Sequence, residues 1–304
     1  MKRSIKIILG IVVFLIILLV WGLVEPYTIS VEEEKAVIPN LPEEWIGEKI
    51  AVITDFQVGM WMDNDSVISR IVDEIIEIEP KAVLILGDFV YHSADDHQTQ
   101  METVIDYLRP LTENSLKVYA VLGNHDYSLK SEEDPVNRDT AERVRSKLEE
   151  IGIDVLNNES VALSLMDGNV QVDEDSDNPL YIAGIGSNWA KEDDVEKTLS
   201  SFPEDAPRFV MMHNPKTFTL LPENTAPVAV AGHTHGGQFR LPFSPDNSYL
   251  DLTSEEGVRV DGWIETDNGS NENRLYVNRG VGMSIVPMRV NCPPEITVFT
   301  LQVP

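Results

Sequence analysis

The sequence predicts a layered α/β fold preceded by one N-terminal transmembrane helix, on three observations. The first 24 residues are basic and then wholly apolar. From residue 50, short apolar runs alternate with amphipathic segments across short links, the pattern of strand–helix–strand units. Five of the apolar runs end in residue types that bind metals. These are Asp55-Phe56-Gln57, Gly87-Asp88, Gly123-Asn124-His125-Asp126, Met212-His213-Asn214-Pro215 and Gly232-His233-Thr234-His235-Gly236-Gly237-Gln238. Strands ending in this way would bring such side chains to one edge of a sheet.

Taken in order, Lys2, Arg3 and Lys6 precede the apolar run 7–24. About 18 apolar residues suffice to cross a bilayer with little tilt. Cations before the run favour a cytoplasmic N-terminus, with Trp21 and Tyr27 at the far interface and the body outside the cell membrane. A cleaved signal peptide is the competitor, but the run continues as Val20-Trp21-Gly22-Leu23-Val24-Glu25-Pro26 with no small-x-small site, which favours a single-pass anchor. Three regions follow: an anchor over 1–24, a juxtamembrane segment over 25–48 and one domain over 49–304. In the middle region Glu32-Glu33-Glu34 reads as a solvated patch, and Pro39 and Pro42 suggest an extended segment or an edge strand.

A strand is predicted at 50–54. A helix over 65–79 follows, with Val67, Ile68, Ile71, Val72, Ile75 and Ile76 on one face, Asp63 or Asp65 as its cap and Pro80 as its stop. Next come a buried strand at 82–86, a helix over 96–108 stopped by Pro110, and a strand at 117–122. A polar helix over 139–151 ends at Gly152. The second half is richer in strands, at 161–165, 170–172, 181–183, 208–212, 228–231, 275–278 and 296–301, with a helix over 193–199. The acidic run 173–178 lacks the glycine and distal glutamate of a calcium loop and reads as a solvated turn. The polar stretch 257–273 reads as a hairpin or loop.

The formal net charge of −28 argues against nucleic acid and against an anionic membrane surface as partners. It does not exclude a phosphate substrate, because bound divalent metals reverse the local field. Cys292 is the only cysteine, so no intrachain disulfide exists.

Asp55, Asp88, Asn124, His213, His233 and His235 form a mixed oxygen and nitrogen set, too large for one catalytic ion and suited to two. Two metals roughly 3.5–4 Å apart can clamp a phosphoryl group and activate a water. Asp88 is the natural bridge between them. If His233-Thr234-His235 is extended, its two imidazoles share a face and address neighbouring ions. His125 reaches towards the substrate as a general acid, with Asp126 orienting its ring. His92 and His97 fit no motif, although His92 is close enough to Asp88 in sequence to line the same pocket.

With these motifs in this order, the chain resembles the calcineurin-like metallophosphoesterases, from about residue 50 to 301. The likeness is strongest to the bacterial membrane-anchored branch, through Gly232 to Gln238 followed by Phe239-Arg240-Leu241-Pro242, and through Tyr276 to Gly282 and Pro293-Pro294-Glu295-Ile296. The resemblance implies a four-layer α/β/β/α sandwich with the metals at the strand ends. It implies Asp55 and His235 on the first metal, Asp88 on both, Asn124, His213 and His233 on the second, and His125 at the leaving group. One departure stands out. The usual Asp-x-His is here Asp55-Phe56-Gln57. A Gln57 amide oxygen is a harder donor than imidazole, so Mn²⁺ is expected over Zn²⁺, with Fe²⁺ or Mg²⁺ as alternatives. If Gln57 points away, the first site is weak.

The expected function is hydrolysis of a phosphodiester, pyrophosphate or phosphomonoester by a membrane-anchored, dinuclear enzyme. The anchor and the branch suggest a lipid-linked substrate such as a UDP-diacylglucosamine-type precursor. Arg240 and Arg279, and with them Arg289, are candidate phosphate contacts. The alternative is a catalytically silent, membrane-tethered scaffold that keeps the fold.

Overall fold

A computed structural model describes residues 2–91, 97–173, 175–241, 244–248, 260–265 and 273–304. Helix α1 (Lys2–Val24) is exposed along nearly its whole length. Together with the 3₁₀ turn Glu25–Tyr27 that continues it, Ser4–Tyr27 is, among the described residues, the stretch long and apolar enough to cross a membrane.

Two sheets make the body. The first has the order β1 (Ser30–Val37), β15 (Glu295–Gln302), β2 (Lys49–Ile53), β3 (Ala82–Ile85), β4 (Lys117–Ala120) and β5 (Ile153–Val155). From β2 to β5 the pairing is parallel, while β15 runs antiparallel to β2. The second has the order β13 (Gly262–Glu265), β14 (Arg274–Val277), β10 (Ala229–Ala231), β9 (Arg208–Met211), β8 (Leu180–Gly184), β6 (Glu159–Met166) and β7 (Asn169–Val172). A two-stranded ribbon, β11 (Arg240–Leu241) with β12 (Ser244–Ser248), lies apart from both.

Both faces of the central strands are covered, which is why Ala-Val-Leu-Ile at β3 is apolar throughout. Ile50, Val52, Leu84, Tyr119 and Phe299 of the first sheet pack between the sheets against Ile182, Phe209 and Val230 of the second. The alternate residues Ala51, Ile53, Val83 and Ile85 face α2 (Asp65–Ile78), α3 (His97–Glu113) and α4 (Arg138–Glu149). Val210, Ala229 and Val277 pack beneath a thinner outer layer containing α5 (Val195–Leu199) and the 3₁₀ turn Pro215–Leu220. The result is the α/β/β/α order, with one helical layer much reduced. Each fully buried Val, Leu or Ile in these layers contributes roughly 1.5–3 kcal/mol.

Several boundaries differ from the sequence reading. Of the two readings of the juxtamembrane segment 25–48, the edge strand is found, since β1 pairs in parallel with β15 at the edge of the first sheet. Helix α3 runs through Pro110 to Glu113, since its apolar face continues from Leu108 to the buried Leu111. Neither Asp63 nor Asp65 caps α2. Asn64 holds the cap position, and its buried amide instead donates to the Pro26 and Val281 carbonyls at 3.1 and 3.0 Å. The expected hairpin at 257–273 includes β13, and most of its remainder lies outside the described residues, as does His92. His97 opens α3.

Candidate metal centre and active site

Every metal-ligand type singled out in the sequence follows the carboxyl end of a parallel strand: Asp55 after β2, Asp88 after β3, Asn124 after β4, His213 after β9 and His233 after β10. Open α/β sheets bind ligands at that edge, where the loops diverge. The two sheets present their edges together, so the five loops meet.

The meeting is tight. Asp88 Oδ2 lies 3.3 Å from His213 Nε2. Asn124 Oδ1 lies 3.0 Å from His213 Nε2 and 2.9 Å from His233 Nδ1. Both nitrogens face one oxygen because the Asn124 amide is fixed from behind, its Nδ2 donating to the Leu129 carbonyl at 3.2 Å. His213 Nδ1 donates to the Leu86 carbonyl at 2.7 Å, which leaves Nε2 as the ligand nitrogen. Asp88, His213 and His233 all lie within metal-binding reach of one another.

Beside this group sits a second one. His235 Nε2 lies 3.5 Å from Asp55 Oδ1 and 3.4 Å from Gln57 Nε2. The Gln57 amide nitrogen also donates to Asp88 Oδ2 at 2.9 Å. Asp55 Oδ1, Gln57 Oε1 and His235 Nδ1 are buried without a hydrogen-bond partner. Unsatisfied buried oxygens cost free energy unless something positive satisfies them. Turning the Gln57 amide over would aim its oxygen at the group centre while retaining its shape. The residues present therefore fit divalent metal, and Asp88 Oδ2 contacts both groups of donors, through His213 and through Gln57.

Backbone conformation supports the same reading. Asp55, Gln57, Asp88, His233 and His235 all have positive φ, between 49° and 71°. Such positions cost of order 1–3 kcal/mol each and cluster at functional sites. The condition that 233–235 be extended is therefore not met, and His235 opens a 3₁₀ turn to Gly237. The two imidazoles still face different groups, His233 towards Asn124 and His235 towards Asp55 and Gln57.

The close approach of the β3 and β4 loops requires glycine. Gly87 has φ +95°, and a Cβ there would fall 2.3 Å from Gly123 N. A Cβ on Gly123 would fall 2.1 Å from Asp88 Oδ1. Asp126 joins the same loops. Its carboxylate accepts the backbone N–H groups of Gly123 at 2.8 Å, Asp88 at 2.9 Å and Phe89 at 3.0 Å. This corrects its expected role, since these three amides occupy Asp126 and His125 is oriented elsewhere. His125 Nδ1 donates to the Tyr91 carbonyl at 2.6 Å, the two rings stack at 5.5 Å, and its backbone N–H donates to Asp88 Oδ1 at 2.8 Å.

Burial disfavours charge throughout the centre, and the neighbours decide each outcome. For Asp88, burial is outweighed by His213 and His125, which hold its carboxyl well below the usual range. His213 is raised to about 9, because Asp88 overcomes the cost of burial. Burial lowers His233 to about 3, assisted by His213, and lowers His235 to about 4. Both are therefore neutral at pH 7, the form that binds metal. Burial and the Asp88 charge raise Asp126 to about 7 against its amide bonds.

The centre opens into a cleft of about 880 Å³ lined by Asp88, Asn124, His125, His233 and His235. Lys130, Tyr91 and Trp189 also line it, and none of them stood out in the sequence. Lys130 lies six residues past Asn124 in the same loop. Trp189 follows β8, a further strand end, and meets the His233 ring edge-on at 4.7 Å.

None of the three candidate arginines lines this cleft. Arg240 pairs with Asp261 at 2.6 Å. Arg279 pairs with Glu32 at 2.5 Å and Glu295 at 2.9 Å. Arg289 is fully buried and donates to the carbonyls of Arg279, Gly280, Gly282 and Cys292. Acidic partners and carbonyls hold these guanidinium groups, so among the described residues Lys130 is the Lys or Arg side chain that lines the cleft.

Residues 48–237 match the model of the calcineurin-like phosphoesterases. The chain belongs to that family. It is a metal-dependent hydrolase of phosphoric esters. It is 28% identical to the metallophosphoesterase YkuE of Bacillus subtilis, over 91% of this chain and 87% of that one. It is 28% identical to the phosphodiesterase YaeI of Escherichia coli, over 83% and 82%. It is 23% identical to the UDP-2,3-diacylglucosamine pyrophosphatase LpxG of Chlamydia muridarum, over 83% of each chain.

Proposed function

We propose that this calcineurin-like phosphoesterase is a membrane-anchored, dinuclear enzyme that hydrolyses a phosphodiester or pyrophosphate bond in a lipid-linked substrate on the extracytoplasmic side of the cell membrane. The observation that carries the dinuclear part is the set of unpartnered donors at Asp55, Gln57 and His235, adjoining the Asp88–Asn124–His213–His233 group. Asp55, Gln57 and His235 would hold one ion and Asn124, His213 and His233 the other, with Asp88 touching both. Two divalent ions, Mn²⁺ by preference for the Gln57 oxygen, supply charge that draws phosphoryl oxygens and acidifies a water.

The chain's own residues do the rest. Asn124 is held with its oxygen inward by Leu129, so the metal geometry is set before substrate arrives. His125 is tied through Nδ1, which leaves Nε2 to give a proton to the departing oxygen. Lys130 offsets phosphate charge at the cleft wall, and Trp189 shields His233 from water. The lipid-linked substrate is supported by the apolar helix α1 and by a relative named as a diacylglucosamine pyrophosphatase.

The test is Mn²⁺-dependent hydrolysis by the full chain in detergent, with an aryl phosphodiester, an aryl phosphomonoester and a pyrophosphate diester. Loss of turnover in both His125→Ala and Asn124→Ala, with metal binding retained in the former, supports the reading. Two bound metals with no turnover of any ester would favour the silent scaffold.

A further inference from the structure

Two loops of the body are fastened to the end of α1, and both carry large apolar side chains into solvent. The first is the segment 61–64. The Tyr27 hydroxyl donates to the Asp63 carbonyl at 3.1 Å, and Asn64 donates to the Pro26 carbonyl at 3.1 Å. The second is the segment 284–292. Arg289 N donates to the Gly22 carbonyl at 3.0 Å, and Asn291 N donates to the Glu25 carboxylate at 2.8 Å. The contact at Gly22 is close enough that a Cβ there would lie 2.5 Å from Met288 Cε. The loops also touch each other, Trp61 Nε1 donating to the Ile285 carbonyl at 3.4 Å.

What these loops expose is unusual for a chain of net charge −28. Ile285 is 77% exposed, Trp61 60% and Met62 57%. Ile285 also has φ +63°, a left-handed conformation that β-branched residues rarely adopt and that points to a constraint other than local stability. Ile285 and Val286 are at the same time part of the wall of the catalytic cleft. The apolar rim therefore runs from the end of α1 to the mouth of the active site.

We infer that this rim, Trp61 and Met62 with Ile285 and Val286, is seated in the bilayer interface from which α1 emerges, so that the cleft receives its phosphoester from the membrane with the substrate's apolar chains lying over Ile285 and Val286. The inference rests on the membrane-anchored reading above. Depth supports it. The apolar run 7–24 is about 27 Å long as a helix, close to the thickness of a hydrocarbon core, so Gly22 lies at the interface and the segment bonded to it lies there too. Tryptophan is suited to that layer, with an apolar ring and a polar nitrogen. The contact is apolar and not electrostatic, because Asp63 and Asp65 stand beside the rim and the whole body is acidic.

The experiment places the full chain in nanodiscs of zwitterionic phosphatidylcholine. Trp61 fluorescence, taken as the difference between the wild type and Trp61→Phe, is measured with a nitroxide on an upper acyl carbon. In the same discs, hydrolysis of a water-soluble aryl phosphodiester is compared with that of a diacyl-lipid phosphodiester, for the wild type and for Trp61→Ser/Met62→Ser. The expected result is quenching of more than half of the Trp61 signal. The double variant should turn over the soluble ester within about two-fold of the wild type and the lipid ester roughly ten-fold more slowly, the order set by withdrawing two large side chains from an apolar layer. An unquenched Trp61, or a double variant that treats both esters alike, overturns the inference. If the wild type hydrolyses neither ester, the enzymatic reading fails instead, and the quenching alone decides the seating of the rim.

Discussion

Asp126→Asn isolates the one side chain that ties the two principal ligand loops together. The carboxylate accepts three backbone N–H groups, from Gly123 and Asp88 on one oxygen and from Phe89 on the other. An asparagine of the same shape has one oxygen and one amide nitrogen. In its better orientation it keeps the Gly123 and Asp88 bonds as neutral ones and turns a donor towards Phe89 N–H. The unpaired buried N–H costs about 1–3 kcal/mol, and weakening two charge-assisted bonds adds roughly 1 kcal/mol. Neutralising the residue also removes the burial cost and the Asp88 repulsion that raise its carboxyl, so the expected destabilisation is about 1–2 kcal/mol, a fall in Tm of roughly 2–8 °C for a domain of this size. The assay is thermal unfolding at pH 8, where the carboxyl, raised to about 7, is mostly ionised. Hydrogen exchange should show faster exchange at the amides of Gly123, Asp88 and Phe89 and not at those of β9. A destabilisation below about 0.5 kcal/mol, or unchanged exchange at those three amides, would refute the role assigned to Asp126.

Three further outcomes are expected. Gln57→Ala should weaken one of two bound metals by roughly 10–100-fold while Gln57→His restores it with a shift towards Zn²⁺, as read by metal content after dialysis; two tightly held metals in the alanine variant would show that Gln57 is no ligand. Arg279→Ala should destabilise the body by about 3–5 kcal/mol, by leaving the fully buried Glu295 without its ion-pair partner, and should leave KM for soluble esters unchanged; a raised KM with intact stability would return Arg279 to the substrate. Burial, with the charge of Asp63, raises Asp65 to about 6 from an ordinary value of 3.8, so the folded chain binds more protons than the unfolded chain between those values. Stability contributed by this group is therefore greatest at low pH and declines from about pH 4 to 6. Because Asp65 is partly exposed, the decline is discounted to about 1–2 kcal/mol, and Asp65→Asn should remove it from the pH profile of denaturant midpoints.

Much of the metal centre was legible because buried parallel strands write themselves as continuous apolar runs, and the first polar residues after each run mark the binding edge. The pattern from Ile50 to Asp55 and from Val228 to His233 carries that information locally. Residues whose identity depends on a distant partner were not legible. Strand β1 has Glu32, Glu33 and Glu34 in a row and only Ala36 buried, and its pairing with β15 makes it a strand of the body. Nothing local separates an arginine facing phosphate from Arg279, whose partners Glu32 and Glu295 lie at opposite ends of the sequence. Asp126 looked like a partner for the adjacent His125, but the backbone amides of a neighbouring loop were closer. The His233–His235 segment has positive φ at both histidines, a backbone that its local sequence does not announce.

The position of β15 sets the order in which such a chain can be made. It lies between β1 and β2, so two strands from the start of the body are joined only by a strand synthesised after nearly all the rest. During synthesis β2 and β3 are made with an unpaired edge, which stays uncovered through most of elongation. Topologies with pairings this distant fold slowly and expose strand edges to other chains meanwhile. Production of this protein is therefore expected to depend on factors that hold the incomplete sheet and to suffer more from early truncation near Glu295 than from changes in the cleft itself.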